Sequence, residues 1–320
     1  MPSTINQNEK YSTTRLLTKE KTELINKAED KFKSVLLLPV DESIKGEGGL
    51  RTKGYFKKSF EEKPLISIVT VVYNGEEHLE GTIQSVINQT YDNVEYIIVD
   101  GGSTDGTLEI IKKYEDRIDY WLSEKDAGIY DAMNKGVKLC SGEVIGLINA
   151  DDWYELDAVR EISKAYTHSD KKTIFHAYLN IIQEDKETYI VYPPQDLFIL
   201  KKGMILSHPT VFVPKEIYKR HGLFSTKYKI ASDWDLMLRL YLAGVNFHEI
   251  KSLVANFRIG GASFVIDKNS VKEKHEIRKD HKVYNFIDRY YLLDLLRLAI
   301  FGKYVAKISL FKQSFFSKIK

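Results

Sequence analysis

The sequence is short of cysteine, proline and net charge. A single cysteine, Cys140, stands among 320 residues. It has no partner for an internal disulfide, which fits a reducing compartment. Seven prolines are too few for a proline-rich linker or rod. A formal net charge of +2 excludes bulk attraction to nucleic acid, so any basic surface must be local. No uninterrupted apolar run reaches the ~18 residues of a spanning helix. The opening residues, MPSTINQNEKYSTTR, hold no apolar core of signal-peptide length. The expected location is the cytoplasm, either free or peripheral on the inner face of the cell membrane. What remains is ordinary for a globular chain, with 43% hydrophobic and 29% charged residues. The length allows one large or two modest domains with a sizeable core.

Residues 1–63 are polar and mixed in charge and read as an N-terminal extension. Within them, KEKTELINKAEDKFKSVLL has apolar residues at helical spacing, and the glycine-rich GEGGLRTKG predicts a loop. Pro64 marks a boundary. Beyond it LISIVTVVY, VEYIIVD, DYWLSE and VIGLIN read as strands, separated by helical segments. This alternation predicts an α/β fold with a mostly parallel sheet. In such sheets ligands bind beyond the carboxyl ends of the strands. Three polar clusters fall there: Tyr73–Asn74, Asp100–Ser103 and Asn149–Asp152. The alternation loosens after about residue 165. KTIFHAYLNII and ETYIVYP read as a strand pair, SHPTVFVP as a strand, SDWDLMLRLYLAG as a helix, and NFHEIKSLVANFRIGGAS as short strands and a glycine loop. From about Asp267 the chain reads as helical.

The stretch GLINADDWY ends a buried strand on adjacent acids, Asp151 and Asp152. Like charges held close repel unless solvated or paired, and a bound cation would relieve them. Capping of a helix near Glu155 is the plainer alternative, but it needs only one acid. The loop VDGGSTDG is not a dinucleotide fingerprint, because Ser103 stands where G-x-G-x-x-G needs its second glycine. Ser103 or Thr104, with Asp105, instead predicts a cap on the following helix. Asp100, at the strand end, offers a carboxylate to a base or ribose.

The order and spacing of ISIVTVVYNGEEHLEGTIQSVINQTYDNVEYIIVDGGSTDGT, DAGIYDAMNKG and GLINADDWY resemble glycosyltransferase family 2, over residues 65 to about 263. The nearest likeness is to bacterial transferases that build O-antigen, capsule or exopolysaccharide. The resemblance implies a GT-A-type nucleotide-binding sheet with flanking helices, a nucleotide-sugar donor and inverting chemistry. It implies a nucleotide-sugar half over 64–165 and an acceptor half over 166–265; the residues beyond, 266–320, read from their own pattern as a helical C-terminal segment. Val71, Tyr73, Asn74 and Asp100 fall in its nucleotide pocket, and Asp126, Asp131, Asn134 and Lys135 would line the donor site. Lys135 would neutralise diphosphate charge, against the plainer role of a solvated helix lysine. The metal motif falls on Asn149-Ala150-Asp151-Asp152, with Asn149 where the commoner form has Asp. Asp151 and Asp152 would hold Mg²⁺ or Mn²⁺ and the ribose–diphosphate. The catalytic base falls on Asp233, with Ser232 replacing a preceding acid; Asp235 is the competing assignment. Trp234 and Trp153 would stack on acceptor sugar or pack in the core. His208 falls near the acceptor site, and Arg258 precedes a glycine loop placed to close over the diphosphate.

The last segment, AIFGKYVAKISLFKQSFFSKIK, has five lysines and no acid. Its phenylalanine-rich arc opposite lysines describes a basic amphipathic helix on an anionic membrane surface. Packing on the body or on a second copy in a homo-oligomer is the alternative. The combined expectation is a metal-dependent transferase moving a sugar, from a UDP donor, to a lipid-linked or glycan acceptor in surface-polysaccharide synthesis. Two rivals remain: an inactive nucleotide-sugar-binding subunit, and a nucleotidyltransferase. The latter would need a basic glycine-rich loop after the first strand, where YNGEEHLEG is acidic.

Overall fold

The computed structural model describes residues 4–39, 44–183, 188–259, 267–284 and 288–301. The strands are β1 (Leu17–Thr18), β2 (Ile44–Gly48), β3 (Phe56–Lys57), β4 (Ile66–Val72), β5 (Val94–Asp100), β6 (Tyr120–Glu124), β7 (Val144–Asn149), β8 (Trp153–Tyr154), β9 (Thr173–Ile182), β10 (Tyr189–Val191), β11 (Phe212–Pro214) and β12 (Asn246–Arg258). The helices are α1 (Leu79–Ile87), α2 (Thr107–Lys113), α3 (Ile129–Leu139), α4 (Ala158–Thr167), α5 (Lys215–His221), α6 (Ser232–Leu242), α7 (Lys268–Asp280) and α8 (Arg289–Phe301). Apart from β1 and β3, which pair with each other, these strands form one sheet ordered β2-β6-β5-β4-β7-β11-β9-β12-β8, with β10 on β9. Its centre, β6-β5-β4-β7, is parallel, as the alternation of strands and helices predicts.

The central strands are buried on both faces, which is why they read as continuous apolar runs. Alternate residues still divide between the two sides. Val69, Val71, Ile97, Val99, Ile145 and Leu147 pack with α3 and α6. Ile66, Ile68, Tyr96, Ile98, Val144 and Ile148 pack with α1 and α4. Both layers are needed to hide a sheet that exposes neither face.

The first 57 residues depart from the sequence reading. KEKTELINKAEDKFKSVLL forms no helix. Its backbone N–H groups turn to the body: Lys31 donates to the Lys219 carbonyl at 2.8 Å and Val35 to that of Lys138 at 2.9 Å. Phe32 and Leu36 are buried. Tertiary partners outweigh a modest helix propensity. The glycine-rich stretch is not all loop either. Ile44–Gly48 is a strand, antiparallel to β6 at the sheet edge. Its glycines leave room for the Trp121 ring, which a Cβ on Gly48 would approach to 2.6 Å. Residues 44–48 thus share the sheet of the residues beyond Pro64, and Leu50, Arg51 and Lys57 are buried.

Two other departures concern the second half. His208–Thr210 is a turn of 3-10 helix ahead of β11, so SHPTVFVP is only partly strand. NFHEIKSLVANFR is one thirteen-residue strand rather than several, parallel to β9, and register shifts after Ile250 and Leu253 interrupt its pattern. The glycine loop after Arg258 and the basic helix expected over the last residues lie outside the described residues.

Candidate active site

The parallel register sets Val71 beside Asn149 and Val72 beside Asp100. β4, β5 and β7 thus end on one edge, with β5 and β7 on opposite sides of β4. A cleft opens at this edge, lined by the residues that leave both β4 and β7, the place where ligands bind in such sheets. Its volume is about 780 Å³. One side is lined by Val71, Tyr73, Asn74, Asp126, Asn149 and Asp151, the other by His208, Lys229, Ile230 and Asp233. Val71, Tyr73, Asn74, Asp126 and Asp151, assigned to the donor, therefore line the same space as Asp233, assigned to catalysis, although more than 80 positions separate Asp151 from Asp233 in the chain.

Asn74 ties two loops together. Its backbone is left-handed, at φ +50°, a conformation Asn tolerates. Its N–H donates to Ser103 Oγ at 2.7 Å, and its Oδ1 accepts from Thr104 N–H at 2.9 Å. Asp100 serves the same loop and not the cleft. It is fully buried and accepts from the N–H groups of Gly102 and Ser103 and from the hydroxyls of Ser103 and Ser123. Both of its oxygens are thus engaged within the fold. Ser103 is thereby committed to Asp100 and Asn74 and does not cap α2. Asp105 does so in part, accepting from Thr107 N–H at 3.1 Å.

Of the four polar residues assigned in DAGIYDAMNKG, only Asp126 lines the cleft, steadied by Gly128 N–H at 2.8 Å. Asp131 accepts from Ala127 N–H at 3.1 Å. Asn134 braces the chain at Phe224, donating to its carbonyl and accepting from its N–H. Lys135 does not line the cleft and is not a solvated lysine. Its ammonium pairs with Glu124 at 2.5 Å and Asp131 at 3.3 Å. Burial would lower its pKa, but these acids raise it above the usual lysine range.

The adjacent acids part company. Asp151 faces the cleft. Asp152 is turned inward, with no exposure, and its Oδ1 accepts from Arg258 N–H at 3.1 Å. Its Oδ2 is enclosed without a hydrogen-bond partner. Burial, then the charge of Asp151, pushes its carboxyl well above the usual range. Asn149 also faces the cleft with an enclosed, unpartnered Oδ1. Neither acid caps α4, whose N-cap is Asp157. Asp151 and Asn149 thus offer hard oxygen atoms to a cation in the cleft. No group of three or more His, Cys, Asp or Glu suited to a metal occurs among the described residues, so a bound ion would complete its shell with oxygens of substrate or water.

Asp233 stands in the first turn of α6 and lines the cleft. Tyr130 OH lies 2.9 Å from the Ile230 carbonyl and 3.2 Å from Asp233 Oδ1, with one proton to share between these two acceptors. Asp235 points elsewhere, to His281 Nε2 at 2.8 Å, so the two acids of α6 are separated by the helix itself. Trp234 is 1% exposed and donates from its indole to the Leu200 carbonyl, a core position rather than a stacking platform. Trp153 lies 5.4 Å from the Arg258 guanidinium. The Nε2 of His208 is enclosed and unpartnered where the residue lines the cleft, and burial lowers its pKa, so the ring is neutral at pH 7. Tyr130 and Lys229 were not picked out by sequence reasoning. Tyr130 lies one position from Asp131 in a stretch already singled out, but only the helix direction shows which of the two faces the cleft.

Residues 67–223 match the family model "Glycosyl transferase family 2". An uncharacterized glycosyltransferase of Rickettsia typhi is 32% identical over 200 residues, covering 58% of this chain and 62% of its own. Chondroitin synthase of Escherichia coli is 29% identical over 229 residues, covering 66% of this chain and 32% of its own. The chain thus spans less than two thirds of the length of either relative. The fold matches Staphylococcus aureus TarS 1-349 in complex with UDP-GlcNAc at a TM-score of 0.55, with 16% identity over 80% of this chain and 76% of that one. The chain carries a glycosyltransferase family 2 domain over residues 67–223, and its sheet has the GT-A fold.

Proposed function

We propose that this chain is an inverting glycosyltransferase that moves a sugar from a UDP donor to a lipid-linked or glycan acceptor. The observation that carries the reading is the shared cleft: Asp151 and Asn149 at the end of β7 face the same space as Asp233 at the start of α6. One side offers oxygen ligands at a strand edge, and the other offers a carboxylate able to take a proton.

In this reading the donor lies along β4 and β7, with its nucleotide against Val71, Tyr73 and Asn74. Asp126, Asn149 and Asp151 lie toward its diphosphate. An acid-lined wall repels a bare diphosphate. The oxygens of Asp151 and Asn149 suit Mg²⁺ or Mn²⁺. When bound, such an ion would offset the charge on the leaving nucleotide. Asp233 accepts the proton of the acceptor hydroxyl as that oxygen attacks the anomeric carbon. The bond from that carbon to the diphosphate oxygen breaks, and its electron pair leaves with UDP. Attack opposite the leaving group inverts the centre. His208 and Lys229 line the acceptor side, and Lys229 brings positive charge to it.

A membrane-surface acceptor is supported by α8. Its side chains Leu292, Leu293, Leu295, Leu296 and Ile300 are exposed, and a stretch with five lysines and no acid follows. No helix among the described residues is long and apolar enough to cross a membrane.

The test is a panel of radiolabelled nucleotide sugars offered to the full chain with membrane extracts as the acceptor source. A UDP-hexose should be consumed, chelation should stop transfer, and Mn²⁺ should restore it. Asp233→Asn should bind UDP as before and lose transfer by roughly 10²–10⁴-fold, the range for removing a general base. Unchanged transfer in that variant would remove Asp233 from its role. UDP binding with no transfer from any donor would favour the inactive binding subunit.

A further inference from the structure

We infer that Glu273, on α7, is a positioning residue for the transfer reaction, acting through the turn that delivers Asp233; this rests on the reading of Asp233 as the base. Glu273 lies 40 positions beyond Asp233 and outside the residues matched by the family model. Its carboxylate accepts three successive backbone N–H groups: Lys229 at 2.8 Å, Ile230 at 2.9 Å and Ala231 at 3.2 Å. Ala231 is the N-cap residue of α6, and Asp233 follows in its first turn. Ala231 has no side-chain oxygen with which to cap the helix. Glu273 supplies a carboxylate from another element at that end, where negative charge is also favoured by the helix dipole.

The same turn is held from its other side. The Ile230 carbonyl accepts from Tyr130 OH, and that hydroxyl also reaches Asp233. Ile230 is thus fixed through its N–H by α7 and through its carbonyl by α3. Lys229 and Ile230 themselves line the cleft. Freeing the N–H side would let the turn, the Tyr130 contact and the Asp233 carboxylate shift together. The donor side of the cleft, built on β4 and β7, contains none of these groups. Misplacement of a catalytic group by about 1 Å costs on the order of 10²-fold in rate. Loss of Glu273 should therefore lower kcat while leaving donor affinity in place.

The experiment compares Glu273→Gln, Glu273→Asp, Asp233→Asn and Asp233→Asn/Glu273→Gln in the full chain. It measures kcat and KM for the UDP-hexose identified above, UDP affinity and the melting temperature. Glu273→Gln keeps the shape but turns an amide with only one acceptor oxygen toward three N–H donors. It should lower kcat about 10- to 100-fold, with UDP affinity and donor KM within twofold. Glu273→Asp should recover part of the loss. The double variant should be no slower than Asp233→Asn alone, because residues acting as a unit are not additive. Glu273→Gln with kcat within twofold of the parent, or losses that multiply in the double variant, would overturn the inference. If Glu273→Gln does not fold, Glu273→Asp alone decides by the same split between kcat and donor KM. Full transfer by Asp233→Asn would instead sink the reading of the base.

Discussion

Arg51 tests whether the N-terminal residues are structural to the domain or appended to it. The residue is 3% exposed and its guanidinium joins three separate segments. It donates to the carbonyls of Leu36 at 2.9 Å and Leu139 at 2.8 Å, and it pairs with Glu95 in the middle of the sheet. Glu95 also accepts from Ser67 Oγ at 2.5 Å and from Ser141 N–H at 2.8 Å. Burial alone would raise the Glu95 carboxyl, but the Arg51 charge and these hydrogen bonds hold it down at about 2. Arg51→Met keeps bulk and removes the charge, leaving a buried carboxylate without its counter-ion. Breaking a buried pair in this way costs about 3–5 kcal/mol. At 2–4 °C per kcal/mol for a unit of this size, the melting temperature should fall by roughly 10 °C at pH 7.

The pH dependence gives the sharper check. Because the folded carboxyl titrates below its ordinary value of 4.5, its stabilising contribution is complete above that pH and is lost as pH falls toward about 2. The difference corresponds to about 3 kcal/mol. In Arg51→Met, burial dominates and favours the protonated form, so acid relieves the variant while it weakens the parent. The gap between the two in urea unfolding should narrow from pH 6 to pH 3. A gap that stays constant, or a melting temperature within 2 °C of the parent at pH 7, would refute the pairing and the integration of these residues.

Gly146 lies on β7 against Phe212, where an added Cβ would come within 2.4 Å of the ring. Gly146→Ala should cost about 1–3 kcal/mol by overpacking, read from chemical denaturation; a neutral result would mean that Phe212 moves aside freely. For α8, the full chain should float with vesicles containing anionic lipid and not with neutral ones. Leu292→Glu/Leu296→Glu should weaken that binding at least tenfold, since both side chains are more than half exposed. Equal flotation of parent and variant would remove α8 from membrane contact.

The strands β4 to β7 were legible because their residues carry the signal themselves. ISIVTVV, VEYIIVD and VIGLIN are β-branched, continuous and bounded by turns, and their placement leaves three polar clusters on one edge. Local sequence decided those elements, and it decided that Asp151 and Asp233 are candidates. It could not decide direction. Asp151 and Asp152 are neighbours, as are Tyr130 and Asp131, and in each pair one member faces the cleft while the other serves the scaffold. Asp100, Asn134 and Lys135 have the side chains a donor site needs, yet each is engaged by groups 2 to 90 positions away. The N-terminal residues were misread for the same reason: Phe32, Arg51 and Lys57 are buried only because the sheet and helices supply partners. Sequence fixes which groups are available, since chemistry belongs to the residue. Only tertiary structure decides which of them are free to act, because a hydrogen-bonding group buried among donors and acceptors is spent on them, whether those partners are near or far along the chain.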